Sequence, residues 1–253
     1  MFFEDAVEVS KLLELTLTAK SAGLDEKVPM AGIPLSSLNE YVKRLMKFNK
    51  KVAIVEQDNE SMESSKLVTR KLTKIITPGT YHDVLSNDNN YVASIYSNQK
   101  FSLSYGDVST GEMYCISYLK VDDIINEIIT LNIKEVIDPF NVLADYIDVL
   151  SYYNVQINSE EKNAIEINTK NMMEEDVSDI ILRNYIKSIL CEKDDHISKT
   201  IKIETNQFMN MTINTQKQLE LTSTLKDEEY IGSLFWFLNK TNTAMGRRLL
   251  KKF

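Results

Sequence analysis

Cysteine is nearly absent from this 253-residue chain. Its two cysteines, Cys115 and Cys191, lie far apart and match no metal-binding or redox spacing, so both are expected to be buried thiols in a reducing compartment. Histidine is equally scarce: His82 and His196 are isolated, which argues against a histidine-based metal site. No apolar run approaches the roughly 18 residues that a membrane-crossing helix needs. The opening Met1-Phe2-Phe3-Glu4-Asp5 lacks the basic head and long apolar stretch of a signal peptide. Short catalytic signatures are missing as well. Gly106 and Gly111 have the glycine spacing of a phosphate-binding loop, but Glu112 and Met113 stand where Lys and Ser/Thr are required, and a strand follows rather than a helix. There is no nucleophile elbow, zinc motif or kinase signature.

What the chain does have is enough apolar content, 43%, to build real cores, and a length that suits about two domains. Its charge of −8 is unevenly spread: residues 1–80 sum to +1, residues 81–205 to −12 and residues 206–253 to +3. An acidic middle between neutral and basic ends argues for separate modules, and it would repel phosphate. The first 80 residues are therefore the better candidate for touching nucleic acid.

The chain is organised around Val28-Pro-Met-Ala-Gly-Ile-Pro34. Two prolines bracket an apolar core, and neither is expected inside a strand, so a tight turn that buries Met30 is predicted. Gly32 permits close approach to its backbone. Ahead of this stretch, Ala6, Val9, Leu12 and Leu13 recur at helical spacing, Leu15 and Leu17 begin an extended piece, and 18–27 reads as a loop. After it, Ser36 or Ser37 can cap a helix over 37–49 with Lys43, Arg44 and Lys47 on a solvated face. Val52–Val55 is expected as a buried strand and Leu67–Ile76 as a second one, basic through Lys66, Arg70, Lys71 and Lys74 and stopped by Thr77-Pro-Gly-Thr80.

Residues 81–91 read as a linker. Tyr91–Tyr96, Phe101–Tyr105 and Glu112–Tyr118 predict an antiparallel meander, followed by a helix over 121–131 and a short strand at Glu135–Asp138. Further α/β alternation, an amphipathic helix over 176–191 and a mixed sheet complete an α/β domain. From 206 onward the pattern is helical, with helices over Gln216–Leu225 and Tyr230–Asn239 and a last one from Met245 that reads as cut short. One set of carboxylates bears on chemistry. Asp107 at a strand end, with Glu127 and Asp138, could hold two magnesium ions for phosphodiester cleavage, whereas the simpler reading is a hairpin turn made by Asp107, Ser109 and Gly111.

Several ordered stretches together resemble the MutS family of DNA mismatch-recognition proteins. They are Phe3-Glu4-Asp5-Ala6 through Leu15-Thr16-Leu17-Thr18, Pro29-Met-Ala-Gly-Ile-Pro34, Val52-Ala-Ile-Val-Glu-Gln57, Arg70 to Thr80, Leu103 to Glu112, Leu219-Glu-Leu221 and Thr243-Ala-Met-Gly-Arg247. The resemblance implies an α/β chain in three parts. A small mixed α/β mismatch-binding domain occupies 1–80 without its first strand, then come a linker (81–91) and an RNase H-like connector domain (92–205). The beginning of an all-α core domain follows (206–253). It implies double-stranded DNA with mispairs as a partner, with Lys20 and Arg70 on phosphates, Lys71 beside Arg70, and Met30 against the minor groove. A mispaired step is cheaper to unstack and bend, so deformability becomes the readout. The resemblance also implies a MutL-type repair protein at the connector, a homodimer in the full-length family and a cytoplasmic location. ATP and magnesium belong to a further domain, so no enzyme activity and no cofactor are expected of these residues.

Departures accompany the matches. The family's wedge, in a Gly-Asp-Phe-Tyr-Glu stretch, aligns ahead of Met1, so Phe2 and Glu4 do not inherit it, and Glu60-Ser61 stands where Asp-Pro is usual. A short chain of this kind is expected to bind DNA weakly with little preference for a mispair. The competing readings are an RNase H-like, metal-dependent nuclease centred on Asp107 and a non-functional remnant.

Overall fold

The computed structural model describes residues 1–252 apart from 22, 24–25, 58–69, 82–87, 160–171, 191–195, 206–208 and 210. The chain divides into two compact units, Met1–Tyr81 and His82–Phe253.

The first unit runs α1 (Phe3–Leu13), β1 (Thr18–Lys20), β2 (Val28–Met30), a 3-10 turn (Leu35–Ser37), α2 (Leu38–Lys47), β3 (Val52–Gln57) and β4 (Arg70–Ile76). The two strand pairs are separate two-stranded antiparallel ribbons. Its small core gathers Leu13 of α1, Val42, Leu45 and Met46 of α2 and Ile76 of β4. Burying each such side chain contributes about 1.5–3 kcal/mol.

Among the described residues five helices end alike. Glu14, Asn49, Asn132, Asn154 and Glu220 adopt left-handed backbone angles, and the next amide reaches back five residues: Leu15 to Ser10, Lys50 to Leu45, Ile133 to Ile128, Val155 to Leu150 and Leu221 to Gln216. This closes the orphan carbonyls of the last turn. Asparagine tolerates that conformation better than most residues, which explains three of the five positions.

The second unit is built on a six-stranded sheet. Its strands are β5 (Val92–Ser97), β6 (Phe101–Asp107), β7 (Glu112–Tyr118), β8 (Glu135–Ile137), β9 (Gln156–Asn158) and β10 (Ile201–Ile203), in the order β10-β7-β6-β5-β8-β9. The meander β5-β6-β7 is antiparallel, whereas β8, β9 and β10 run parallel to their neighbours. On one face α3 (Val121–Thr130) and α4 (Ile147–Tyr152) cover the main core, which includes Ile95, Leu103, Ile124, Ile128, Val136 and Leu150, all fully buried. Tyr105 stacks edge-on to Tyr91 and tilted to Tyr114, with centroids 5.4 Å apart in both pairs.

On the other face α5 (Glu174–Leu190) lies across β5 and β6. Here α5 buries Val177, Ile181, Leu182, Ile186 and Ile189, and a cluster of serines lies within the contact. The Ser178 hydroxyl meets those of Ser102 at 2.9 Å and Ser104 at 2.8 Å, and the Ser94 hydroxyl donates to the Ser178 carbonyl at 2.5 Å. All four serines are fully buried. Burial also pushes the Cys115 thiol up, against hydrogen bonds from Ser102, Ser104 and Ser178 that hold it down. Cys191 and His82 lie outside the described residues.

Several expectations need correction. Pro29 does sit in a strand: in a two-stranded ribbon every strand is an edge, so its missing donor costs no ladder bond. Met30 is half-buried, and Val28 and Ala31 take the buried places beside it. Part of the expected 18–27 loop is β1. Ser37 precedes α2 but makes no side-chain cap bond. Val52–Val55 alternates between half-buried and exposed residues, because its ribbon has one covered face. The C-terminal helices are shorter than predicted: α6 is Ile213–Gln218, α7 is Leu234–Leu238 and α8 is Ala244–Lys252. Glu220 turns left-handed after α6, and the Ser233 hydroxyl, accepting from the Trp236 amide, starts α7 three residues after Tyr230. No helix among the described residues is long and apolar enough to cross a membrane.

Candidate nucleic-acid interface

The residues singled out for DNA stand on the two ribbons of the first unit. In β1-β2, Thr18 pairs with Met30 and Lys20 with Val28. The Thr18 hydroxyl donates to the Met30 carbonyl at 2.8 Å, fastening the open end of the ribbon. Lys20 is exposed, Met30 is half-buried, and Met30 also forms a bridge to Phe2 on its other side. Two residues on, a side chain at Gly32 would meet nothing within 4 Å, so that backbone is open to approach.

In β3-β4, cross-strand partners share a face. Val55 pairs with Leu72 and Gln57 with Arg70, whereas Val52 pairs with Ile76, Ile54 with Lys74 and Glu56 with Lys71. Val52, Ile54 and Ile76 belong to the covered face that packs on the core. Val55 and Leu72 are exposed, 51% and 38%. Arg70 therefore stands on the open face, and Lys71 points the opposite way toward Glu56. The ribbon does not bring the two together. Strand alternation alone carries that signal; the irregularity between Ile54 and Val55 shifts the phase of the strand without changing it for adjacent residues.

The basic side of α2 is partly engaged. Arg44 donates to the Leu13 carbonyl at 3.3 Å and stacks over Tyr41, and Lys50 pairs with Glu8. These contacts tie α2 and its following turn to α1.

The three carboxylates of the second unit serve separate structural ends. Asp107, buried, accepts from the Ser109 amide at 2.9 Å, the Ser109 hydroxyl at 2.6 Å and the Asn90 amide at 3.2 Å. That is the turn reading, with Gly111 left-handed at its end. Asp138 accepts from the amides of Val142 and Leu143 at 2.9 and 2.8 Å. Glu127 accepts from the Tyr118 hydroxyl at 3.2 Å. Among the described residues no three His, Cys, Asp or Glu side chains are placed to share a metal ion, so the nuclease constellation is not assembled.

Glu127 is nonetheless unusual. Burial pushes its carboxyl above the ordinary value of 4.5, and the Tyr118 bond opposes that only in part. The folded state then holds a proton that the unfolded chain gives up, so this group's stabilising share is full below the ordinary value and is lost as pH rises through the raised one. Glu127→Gln is expected to raise the melting temperature at pH 8, with the gain shrinking toward pH 4. Thermal melts of both proteins across that range check it, and a gain that grows on acidification would contradict it.

Family models described as MutS domain I, MutS domain II and MutS domain III match residues 1–84, 90–174 and 214–253. The chain is similar to the DNA mismatch repair protein MutS of Clostridium novyi, 37% identical over 279 aligned positions, covering 100% of this chain and 30% of that protein. It is likewise similar to the proteins of the same name from Bacillus subtilis (32% over 262 positions, 100% and 30%) and Listeria monocytogenes serotype 4b (32% over 266, 100% and 31%). The chain thus spans about 30% of the length of these relatives.

Proposed function

We infer the function of this chain from its family: it belongs to the MutS family, and domains I, II and III of that family follow one another along its length. The proposal is that it forms part of a DNA mismatch-recognition protein acting in repair. Residues 1–80 would supply the mismatch-binding domain, 81–91 a linker, 92–205 an RNase H-like connector that receives a MutL-type partner, and 206–253 the entry to a helical core. Homodimerisation, a cytoplasmic location and the ATP and magnesium site of a further domain belong to the same proposal for the whole protein.

The observation that carries the DNA reading is the placement of Lys20 and Arg70. Both stand exposed on ribbons of the unit that the domain I model covers, while the second unit holds the acidic stretch. Such cations bind phosphate and add affinity without sequence information. Met30, half-buried beside the open backbone at Gly32, is the part of the surface suited to lie against a groove.

Titration of a fluorescent duplex at several salt concentrations tests this. Lys20→Ala and Arg70→Ala should each weaken binding several-fold and lower the salt slope by about 1. Lys71→Ala, on the opposite face and across from Glu56, should change neither by as much. Unchanged slopes in both single variants would overturn the assignment. A G·T duplex compared with a matched one then separates mismatch preference from simple phosphate binding.

A further inference from the structure

Helix α3 presents three polar side chains to the stretch from Met211 to Gln216, and two of them bond to it. Asn126 donates to the Met211 carbonyl at 3.1 Å and accepts from the Ile213 amide at 2.8 Å. Thr130 accepts from the Gln216 side chain at 3.3 Å, which also donates to Met211. These neutral bonds fix the walls of a cleft of about 410 Å³, and the third side chain, Glu127, lines it together with Tyr118, Thr130, Ile203, Met211 and Gln216.

A carboxylate can accept about four hydrogen bonds. Among the described residues Glu127 receives one, from the Tyr118 hydroxyl at 3.2 Å. No cation among the described residues contributes to its environment. A half-buried carboxylate in an open cleft is less well screened than one in water, so a guest that brings N–H donors and positive charge gains more there. The other walls suit the same guest: the Tyr118 ring offers an electron-rich face, and Met211 and Ile203 offer soft apolar contact.

We propose that the cleft between α3 and the 211–216 segment binds a guanidinium or ammonium group, held by Glu127 and flanked by Tyr118. The shared chemistry has two sources, an arginine or lysine side chain presented by another polypeptide and a small free organic cation.

Methionine-methyl NMR on the full chain tests this, with Met211 as the reporter in the wall. Methylguanidinium is expected to shift the Met211 signal saturably, and its neutral counterpart methylurea is expected to leave it in place. Glu127→Gln should weaken methylguanidinium at least tenfold while the signal of Met113, in the same unit but not lining the cleft, stays put. Glu127→Asp, which keeps the charge but retracts it, should give an intermediate loss and guards against an effect of Gln on folding. Acetyl-Gly-Arg-Gly-amide binding more tightly than methylguanidinium assigns the site to a protein side chain; weaker or no binding of the peptide assigns it to a free cation. Absence of a saturable shift with either cation, or equal affinity in wild type and Glu127→Gln, overturns the proposal.

Discussion

Replacing Gly111 with valine is expected to lower the melting temperature of the second unit by roughly 6–12 °C. Gly111 has φ +73°, and a Cβ there would lie 2.2 Å from the His196 carbonyl oxygen. Two penalties add. A left-handed conformation costs a non-glycine residue about 1–2 kcal/mol, and a β-branched one more. The overlap is with backbone, which cannot rotate away, and it would push apart the turn after β6 and the chain entering β10. That approach is held by the Ser198 amide on the Gly111 carbonyl at 2.8 Å and by the His196 ring against the Val108 carbonyl at 3.0 Å. A total loss of about 3 kcal/mol or more follows, and in a unit of this size each kcal/mol moves the midpoint by about 2–4 °C. Gly23→Ala is the control: its φ is +74° but nothing lies within 4 Å, so only the conformational penalty of about 1–2 kcal/mol remains. Equal effects from the two substitutions in calorimetry would remove the steric account.

The second large effect is expected at Asp138. Its carboxylate is 1% exposed and accepts the amides of Val142 and Leu143, the latter in the fully buried core. Its own amide donates to the Asn158 carbonyl at 2.9 Å, so one residue ends β8, holds β9 and starts the turn toward α4. Asp138→Ala strands two amide donors, at about 1–3 kcal/mol each. Asp138→Asn keeps one acceptor and loses roughly half as much. Denaturant unfolding should therefore rank the variants wild type, Asn, Ala. Two variants as stable as wild type would mean that the aspartate does not hold this corner.

The meander, the helix over 121–130 and the long helix α5 were legible in the sequence, because each carries an uninterrupted apolar period of the right length. Ile124, Ile125 and Ile128 are buried as their spacing requires. The ribbons were less so. Pro29 misled because the usual objection to proline assumes a partner on both sides of the strand, and β2 has its ladder on one. Val52–Val55 reads as a continuous apolar run, yet only alternate residues find cover. In the last fifty residues the periodicity outruns the helices, since a left-handed Glu220 and the capping Ser233 interrupt it. For the candidate site, the family resemblance pointed to Lys20, Met30, Arg70 and Lys71 together. Alternation along β4 separates the last two, and that separation needed no structure to foresee. The cleft beside Glu127 was out of reach, because its walls come from residues about 85 apart that no local pattern links.

The serine-lined contact beneath α5 bears on how the chain behaves while it is being made. The meander is complete at Tyr118, but the helix that covers its hydroxyl face arrives much later: Ser178 lies 76 residues beyond Ser102. At about 5–20 residues per second of synthesis, that face waits roughly 4–15 s on the ribosome. A face of leucine and valine would spend those seconds as an adhesive surface. Ser94, Ser102 and Ser104 can instead be solvated until α5 emerges, then exchange water for the Ser178 hydroxyl and carbonyl. The serines thus lower the apolar share of a face that waits for Ile181, Leu182, Ile186 and Ile189 of its helix.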